Sequence, residues 1–304
     1  MLRVGIIILT LNAGKQFIKL LDSISLQQAN ITRKLIVDSG SADMTVSLAE
    51  RYLYEVLSID KASFNHGGTR QLAIDHLKDI DIAVLLTQDV ILHGEASISK
   101  LVDSFENTKI GAAYGRQLPH VGASPLAAQA RFFNYPAVSQ YRSYEDKSKL
   151  GIKTVFMSDS FAAYRITCLD AVGGFPPNVI IGEDMYVAAK MLLHGYHVAY
   201  IADAYAYHSH EYTLWRELKR YFDIGVFQHR ESWIRAEFGD AEGEGIRFVK
   251  AQLKYLLKNN CIDSIPKAVI ATAVKLVGYR LGLYEAYLPI KLKRVLSGQS
   301  YFFR

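Results

Sequence analysis

The chain has 304 residues, half of them hydrophobic, and only seven prolines. This composition fits one large domain, or a domain with an extension, and excludes a disordered or low-complexity protein. Two cysteines outside any recognisable motif indicate a reducing compartment. The net charge is +5, but residues 245–304 hold eleven Lys and Arg against two acids, a local charge of +9. Such a tail predicts an anionic partner, either membrane lipid or nucleic acid, or else a solvated basic face.

Short apolar runs alternate with amphipathic segments in the first hundred residues. They predict, in chain order, strand Val4–Leu11, helix Gly14–Gln28, strand Leu35–Val37, a helix that begins near Asp43 and is capped by it, strand Tyr54–Ile59, helix Gly67–Leu77 and strand Ile82–Leu86. This βαβα order indicates a parallel sheet with helices on both faces. Polar clusters at residues 10–12, 38–43 and 87–89 follow three of the strands, at the edge where such sheets bind ligands.

The second half of the chain is less regular. Its pattern predicts a loop with an aromatic stretch between Gly115 and Gly151, a strand with a polar break at Val155–Tyr164, a turn at Gly173–Pro177, a helix at Met185–His194, a strand at His197–Ile201 and mainly helix after His210. The opening apolar run lacks the cleavage pattern of a signal peptide. No window has the roughly 18 apolar residues that a bilayer span needs.

Three groups of residues are candidates for chemistry. Asp89 ends a buried strand, where a carboxylate suits a hard cation or simply caps a turn. Glu183 and Asp184 open a helix, where acids meet the helix dipole, or where Asp184 acts as a general base. His208 and His210 alternate along a strand and so lie on one side, where one could ligate a cation or both could be structural.

Taken together, the motifs resemble a known family. The segments that carry the resemblance are Leu9–Asn12, Val37–Asp43, Thr87–Asp89, Gly173–Phe175 and Glu183–Asp184. In this order they resemble family 2 glycosyltransferases of the GT-A fold, over roughly residues 4–215. Within that family, residues 64–70 and 208–210 resemble bacterial rhamnosyltransferases of polysaccharide and O-antigen assembly. The resemblance implies an α/β fold with a Rossmann-like, mostly parallel sheet flanked by helices.

The resemblance also implies a domain division. Residues 1–215 would form the catalytic domain, with a nucleotide-sugar half up to about residue 115 and an acceptor half from 116 to 215. Residues 216–304 would be a basic helical C-terminal extension. In its segment Leu288–Leu296, a helix would place Leu292, Val295 and Leu296 on one face beside basic residues, a pattern typical of an interfacial helix on anionic membrane. The alternative is that this apolar face packs on the catalytic domain.

Site residues follow from the matched motifs. The resemblance implies that the nucleotide sugar contacts Thr10, Asn12, Asp38, Ser39, Ser41, Arg70, Gln88 and Asp89. Asp38 would bind the pyrimidine base, and Arg70 would approach the base or the diphosphate. Asp159 and Glu183 would contact the acceptor, and Asp184 would be the catalytic base. Asp89 and His208 would hold Mg²⁺ or Mn²⁺. Thr87 departs from the family pattern, because it stands where the DxD motif has its first acid.

The implied reaction is inverting transfer of L-rhamnose from dTDP-L-rhamnose to a hydroxyl of a lipid-linked saccharide, catalysed by a cytoplasmic enzyme at the inner face of the plasma membrane. A family 2 transferase that uses UDP-glucose, UDP-galactose or UDP-GlcNAc is the alternative. Residues 228–233 match the processive-synthase motif QxxRW only superficially, which favours transfer of one or a few sugars. A dinucleotide-dependent oxidoreductase is disfavoured, because no G-x-G-x-x-G follows the first strand. A non-catalytic membrane or nucleic-acid binding protein is a further alternative, although no nucleic-acid motif is present and no such partner is expected.

Overall fold

Nine strands form one sheet in the part of the chain that the computed structural model describes, residues 2–240 and 242–303. Their bounds are β1 Val4–Thr10, β2 Ile31–Asp38, β3 Glu55–Ser58, β4 Ile82–Thr87, β5 Ile91–Leu92, β6 Ile110–Leu118, β7 Gln140–Arg142, β8 Phe161–Arg165 and β9 His197–Tyr207. Across the sheet the order is β3-β2-β1-β4-β8-β6-β9-β5, and β7 pairs with β9. Met1, Ala241 and Arg304, which the predicted domains and tail include, lie outside the described residues.

The parallel order predicted for the first half of the chain is confirmed. β1 pairs in parallel with β2 and β4, and β2 pairs in parallel with β3. The second half is mixed: β8 lies antiparallel between β4 and β6, whereas β6 and β9 are parallel. The pairing sets Thr10 opposite Asp38 and Leu9 opposite Thr87. The three predicted polar clusters therefore meet at one edge of the sheet.

Helices cover both faces of the sheet and fill the end of the chain. Their bounds are α1 Gln16–Ser25, α2 Thr45–Arg51, α3 His66–His76, α4 Ser97–Asp103, α5 Pro125–Asn134, α6 Lys147–Leu150, α7 Ile166–Ala171, α8 Glu183–Leu193, α9 Leu214–Arg230, α10 Ser232–Phe238, α11 Glu242–Lys258, α12 Ile265–Leu283 and α13 Ile290–Leu296. Buried side chains of α1, α2 and α4 pack on one face of the sheet, and those of α3, α7 and α8 pack on the other. Asp43 accepts a hydrogen bond from the Thr45 N–H at 3.0 Å in the first turn of α2.

The prediction of a loop between Gly115 and Gly151 was wrong. That stretch contains the end of β6, helix α5, strand β7 and short helical turns. Helix α5 begins with a cap, because the Ser124 hydroxyl accepts from the Ala127 N–H and a proline opens the first turn. The predicted strand at 155–164 is also shifted, since β8 covers only 161–165, and β9 continues six residues beyond its predicted end.

The C-terminal helices pack closely on one another and on α5. A β-carbon on Gly282 would lie 2.1 Å from the Phe222 carbonyl oxygen, and one on Gly225 would lie 2.2 Å from the Tyr279 oxygen. Glycines therefore allow α9 and α12 to touch backbone to backbone. Helix α11 contacts α5 through the edge-to-face pair Phe133 and Phe248, whose ring centroids are 5.2 Å apart. No helix in the described ranges is long and apolar enough to cross a membrane.

The amphipathic face predicted for α13 is divided in the structure. Leu296 is buried against the protein, whereas Leu292 and Val295 remain exposed. Lys293 forms an ion pair with Glu285 at 2.6 Å. Arg294 donates to the Phe303 carbonyl oxygen at 2.7 Å, so the helix uses one of its apolar residues and two of its charges for internal contacts.

Candidate active site

Asp38 organises the loop that follows β2. Its Oδ1 accepts hydrogen bonds from the hydroxyls of Thr10 at 2.9 Å and Ser41 at 2.6 Å. Its Oδ2 accepts from the backbone N–H groups of Gly40 and Ser41 at 3.0 and 2.8 Å. Both oxygens of this buried carboxylate are therefore committed to the loop. Direct recognition of a pyrimidine base by Asp38 stays a prediction, and it requires one of these bonds to be exchanged.

The other predicted nucleotide residues of the sheet edge join the same network. The Asn12 N–H donates to Ser41 Oγ at 2.7 Å, and its side-chain oxygen accepts from the Ala42 N–H at 2.9 Å. Ser39 donates its hydroxyl to the Thr10 carbonyl at 2.9 Å. Gln88 Oε1 accepts from the backbone N–H of residue 11 at 2.8 Å. The loops after β1, β2 and β4 are thus cross-linked into one polar platform.

A second cluster lies beside this platform and has the chemistry of a cation site. Nε2 of His208 lies 3.5 Å from one carboxylate oxygen of Asp89, and Nε2 of His210 lies 3.6 Å from the other. The three ligand atoms lie within 4.8 Å of one another. These separations exceed a normal N–H···O hydrogen bond of about 2.7–3.2 Å. They suit an ion bound between the groups, since ligand bonds of about 2.0–2.2 Å set neighbouring ligands roughly 3 Å apart.

The protonation of the two histidines fits ligation. His208 Nδ1 donates to Gln117 Oε1 at 2.8 Å, which directs the free lone pair of Nε2 towards Asp89. Burial lowers the pKa of His208, although Asp89 opposes the shift. Burial, and then His208, lower the pKa of His210 to about 4. Both rings are therefore neutral at neutral pH, which is the form that binds metals. Sequence reasoning assigned only His208, although the alternation along the strand placed both histidines on one side.

A third cluster consists of one guanidinium and three carboxylates. Arg70 contacts Glu183 through Nη1 at 2.6 Å and Asp159 through Nε at 3.0 Å. Asp159 also accepts from the Tyr164 hydroxyl at 2.6 Å. Its backbone N–H donates to Asp184 at 3.3 Å. Arg70 is thus held by two acids, and its predicted contact with the base or diphosphate stays a prediction.

The surroundings of the three acids differ. Burial, the largest single influence, opposes ionisation of Glu183, but Arg70, His66 and backbone hydrogen bonds together lower the pKa of Glu183. Burial raises the pKa of Asp159 to about 6 against the pull of Arg70. Burial, together with Asp159 and Glu183, raises the pKa of Asp184 well above its ordinary value. Asp184 is also the acid of this cluster that Arg70 does not contact. Because its pKa is raised well above the ordinary value, its ionised form is the strongest base of the three carboxylates.

Local sequence explains how this cluster is built. Asn65 caps α3 by accepting from the Gly68 N–H at 2.8 Å. A β-carbon on Gly67 would lie 2.0 Å from the Pro176 carbonyl oxygen, so only glycine permits the contact that brings α3 to the loop before α8. Gly182 has a left-handed backbone with φ of +79° and precedes the first turn of α8. Because α3 and α8 both begin at this contact, Arg70 of α3 meets the acids in the first turn of α8.

The cation and carboxylate clusters share one cavity of about 1220 Å³. Its lining includes Arg70, Asp89, Asp159, Glu183, Asp184 and His208. Helices α9, α11 and α12 form the opposite wall, so the C-terminal extension completes the cavity. The sheet-edge platform is not part of this lining, but Asp89 follows the same strand as Gln88. Sequence reasoning missed Gln117 and Arg131, which also face this cavity.

Solved structures establish the class of fold. Mannosyltransferase PcManGT from Pyrobaculum calidifontis, solved in complex with GDP-Man and Mn²⁺, superposes with a TM-score of 0.60 at 17% identity, covering 99% of this chain and 85% of that chain. S. aureus TarS 1-349 in complex with UDP-GlcNAc superposes with a TM-score of 0.55 at 14% identity, covering 93% of this chain and 91% of that chain. The expected GT-A-type α/β fold is confirmed.

Sequence comparison gives the family. The model of glycosyl transferase family 2 matches residues 5–173. O-antigen chain rhamnosyltransferase RfbN of Salmonella typhimurium is 46% identical over 97% of this chain and 94% of its own length. O-antigen chain rhamnosyltransferase WbaN of Salmonella anatum is 45% identical over 86% of this chain and 83% of its length. The chain belongs to glycosyl transferase family 2.

Proposed function

We propose that this protein transfers L-rhamnose from dTDP-L-rhamnose to a hydroxyl of a lipid-linked saccharide during O-antigen synthesis. The relatives named as O-antigen chain rhamnosyltransferases support this choice, because the similarity extends over nearly the whole chain. The observation that carries the proposal is that one cavity holds both an Asp184 carboxylate that Arg70 does not contact and a cluster of cation ligands. Transfer from a nucleoside diphosphate requires a base at the acceptor and positive charge at the leaving group.

Asp184 is the catalytic base in this mechanism. It takes the proton of the acceptor hydroxyl, whose oxygen attacks the anomeric carbon from the face opposite the diphosphate. Its raised pKa favours proton transfer in the transition state, since a base works best with a pKa near the operating pH. Glu183 is held by Arg70 and so orients the first turn of α8 rather than accepting the proton. Because one base suffices for direct displacement, the configuration at the anomeric carbon inverts.

Asp89, His208 and His210 would hold the divalent ion, Mg²⁺ or Mn²⁺. The carboxylate and the two neutral imidazoles form a donor set that suits Mn²⁺ well. When bound, the ion supplies positive charge that stabilises the departing diphosphate. Gln117 fixes the His208 ring so that its Nε2 faces the site. Thr87, in place of an acid, leaves a single carboxylate in this cluster.

The sheet-edge platform around Asp38 would receive the thymine base and deoxyribose, with Thr10, Asn12 and Ser41 as its polar groups. A UDP-sugar such as UDP-glucose, UDP-galactose or UDP-GlcNAc is the alternative donor, because the platform would accept either pyrimidine. Asp159 and the lining of α9 would contact the acceptor saccharide.

A thermal-shift panel tests the donor. Wild-type protein is measured with dTDP-L-rhamnose and the three UDP-sugars, each with Mn²⁺ or with EDTA. A donor at 100 times its Kd stabilises the fold by about 2.7 kcal/mol. We expect the largest shift with dTDP-L-rhamnose and Mn²⁺, and a much smaller one for Asp89→Ala. A larger shift with a UDP-sugar would identify that sugar nucleotide as the donor instead of dTDP-L-rhamnose. No shift with any of the four would refute the proposed transferase activity.

We also propose that the C-terminal helices hold the enzyme on the anionic inner face of the plasma membrane. The outward face of α12 exposes Val269, Ile270, Leu276 and Val277, spaced so that they form one apolar stripe. The surrounding tail has a charge of +9. An apolar stripe in a basic segment suits an anionic lipid surface, to which each nearby basic residue contributes about 1 kcal/mol.

Liposome co-sedimentation tests this docking. Binding should require anionic lipid, weaken with salt, and be lost in the double variant Ile270→Gln with Val277→Gln. Leu26→Gln is the matched control, since it removes an exposed apolar side chain just after α1 on the donor half. If the full-length protein does not sediment with anionic liposomes at low salt, the proposed membrane docking is refuted.

A further inference from the structure

Arg131 is a cation in the cavity without an anionic partner. It lies on α5, and its Nη1 donates to the neutral amide oxygen of Gln117 at 2.6 Å. Its Nε is buried and has no hydrogen-bond partner. Within the described residues, no carboxylate forms an ion pair with it. The Arg131 side chain is partly buried, and a guanidinium partly removed from water is stabilised when an anion pairs with it.

The position of Arg131 indicates which anion this is. Gln117 Oε1 accepts from both Arg131 and His208, so the guanidinium stands directly beside one of the cation ligands. Arg220, another lining residue, lies over the Tyr212 ring at 5.8 Å, and Tyr212 in turn stacks on His210 at 4.8 Å. The two arginines, one on α5 and one on α9, thus lie beside the cation cluster in the same cavity. An anion held by an ion at Asp89 and His208 would therefore have guanidinium groups as neighbours.

We infer that Arg131, assisted by Arg220, binds the diphosphate of the nucleotide and stabilises it as the leaving group. This rests on the proposed function and adds residues to it. In the transfer step, the bond from the acceptor oxygen to the anomeric carbon forms and the bond to the β-phosphate oxygen breaks. The electron pair remains on that oxygen, and the acceptor proton passes to Asp184. The diphosphate gains one negative charge, which the N–H groups of Arg131 that face the cavity would meet.

Metal-free calorimetry isolates the arginines from the ion. Wild type, Arg131→Gln, Arg131→Lys and Arg51→Gln are titrated in EDTA with dTDP, dTMP and inorganic pyrophosphate. Arg51→Gln is the matched control, because it makes the same change at the exposed end of α2. Since one charge-assisted contact is lost, Arg131→Gln should bind dTDP and pyrophosphate about 10–100-fold more weakly than wild type. Its affinity for dTMP should fall much less, and the control variant should bind all three ligands as wild type does. Arg131→Lys should fall between, since it keeps the charge without the fork.

The outcomes separate this inference from the donor assignment. Equal pyrophosphate affinity in wild type and Arg131→Gln overturns the inference, whatever the donor is. Equal losses for dTDP and dTMP also overturn it, because they indicate a general structural role. If pyrophosphate binding depends on Arg131 but the wild type does not bind dTDP, the anion site is supported and the thymidine donor is refuted. Melting temperatures of the variants identify misfolding. If Arg131→Gln is misfolded, the comparison of Arg131→Lys with wild type decides the outcome.

Discussion

Replacing Arg70 by methionine removes the cation between two buried acids. The side chains of Arg70, Asp159 and Glu183 are 8%, 3% and 8% exposed. Removing one partner of a buried ion pair lowers the free energy of unfolding by about 3–5 kcal/mol, because the remaining charge is left unpaired. Folded domains are stable by about 5–15 kcal/mol. We therefore expect Arg70→Met to lose roughly a fifth or more of the stability at pH 8.

The loss should shrink at low pH. Without Arg70, the folded-state pKa of Asp159, already raised to about 6, rises further, and that of Glu183 rises above its unfolded value of about 4, so the folded variant binds more protons than the folded wild type. Its stability relative to wild type then falls as pH rises through that window. Urea unfolding followed by circular dichroism at pH 5 and pH 8 measures this. Arg3→Met, which breaks the exposed pair with Asp81, is the control and should change little at either pH. An Arg70→Met variant as stable as wild type at pH 8 would refute the reasoning.

Three further predictions follow from the geometry. Gln117→Leu should weaken Mn²⁺ binding about 10–100-fold in calorimetry, because it removes the acceptor that orients the His208 ring; unchanged affinity would exclude this supporting role. Gly282→Ala should lower the melting temperature, since its β-carbon would lie 2.1 Å from a backbone oxygen of α9, whereas Gly243→Ala on α11 meets nothing within 4 Å and should be harmless. The acidic limb of the kcat/KM profile should lie well above pH 4, because burial raises the pKa of Asp184; a limb near 4 would exclude it as the base.

The donor half was predictable because its information is local. β1 and β4 are buried on both faces and read as continuous apolar runs, and each ends in polar residues. Helix α5 was missed although Ser124 and Pro125 form a start signal, because the aromatic residues that follow were interpreted as a loop. The partners of Arg70 lie 89 and 113 residues further along the chain. No periodicity or motif spacing encodes such a contact, so its ion pairs appear only in the fold.

The same limit applies to the cavity wall. The basic composition of the tail predicted an anionic partner, and the exposed stripe of α12 keeps that proposal open. However, the sequence did not indicate that α9, α11 and α12 would line the cavity that holds the cation and carboxylate clusters. The close glycine contacts that bring α12 onto α9 involve residues 225 and 282, which are far apart in the chain and unremarkable as a pattern.

Rhamnose transfer by variants of the two adjacent acids distinguishes Asp184 from Glu183 as the catalytic base. Purified wild type, Asp184→Asn and Glu183→Gln are given labelled dTDP-L-rhamnose, Mn²⁺ and a lipid-linked saccharide, and transferred label is counted at saturating donor. Asp184→Asn should lose at least about 10²–10⁴-fold in kcat, the usual contribution of a general base, while its donor Kd stays near wild type. Glu183→Gln should lose less, since it weakens only the Arg70 contact that orients α8. An Asp184→Asn enzyme that keeps most of its activity while Glu183→Gln is inactive would contradict the account.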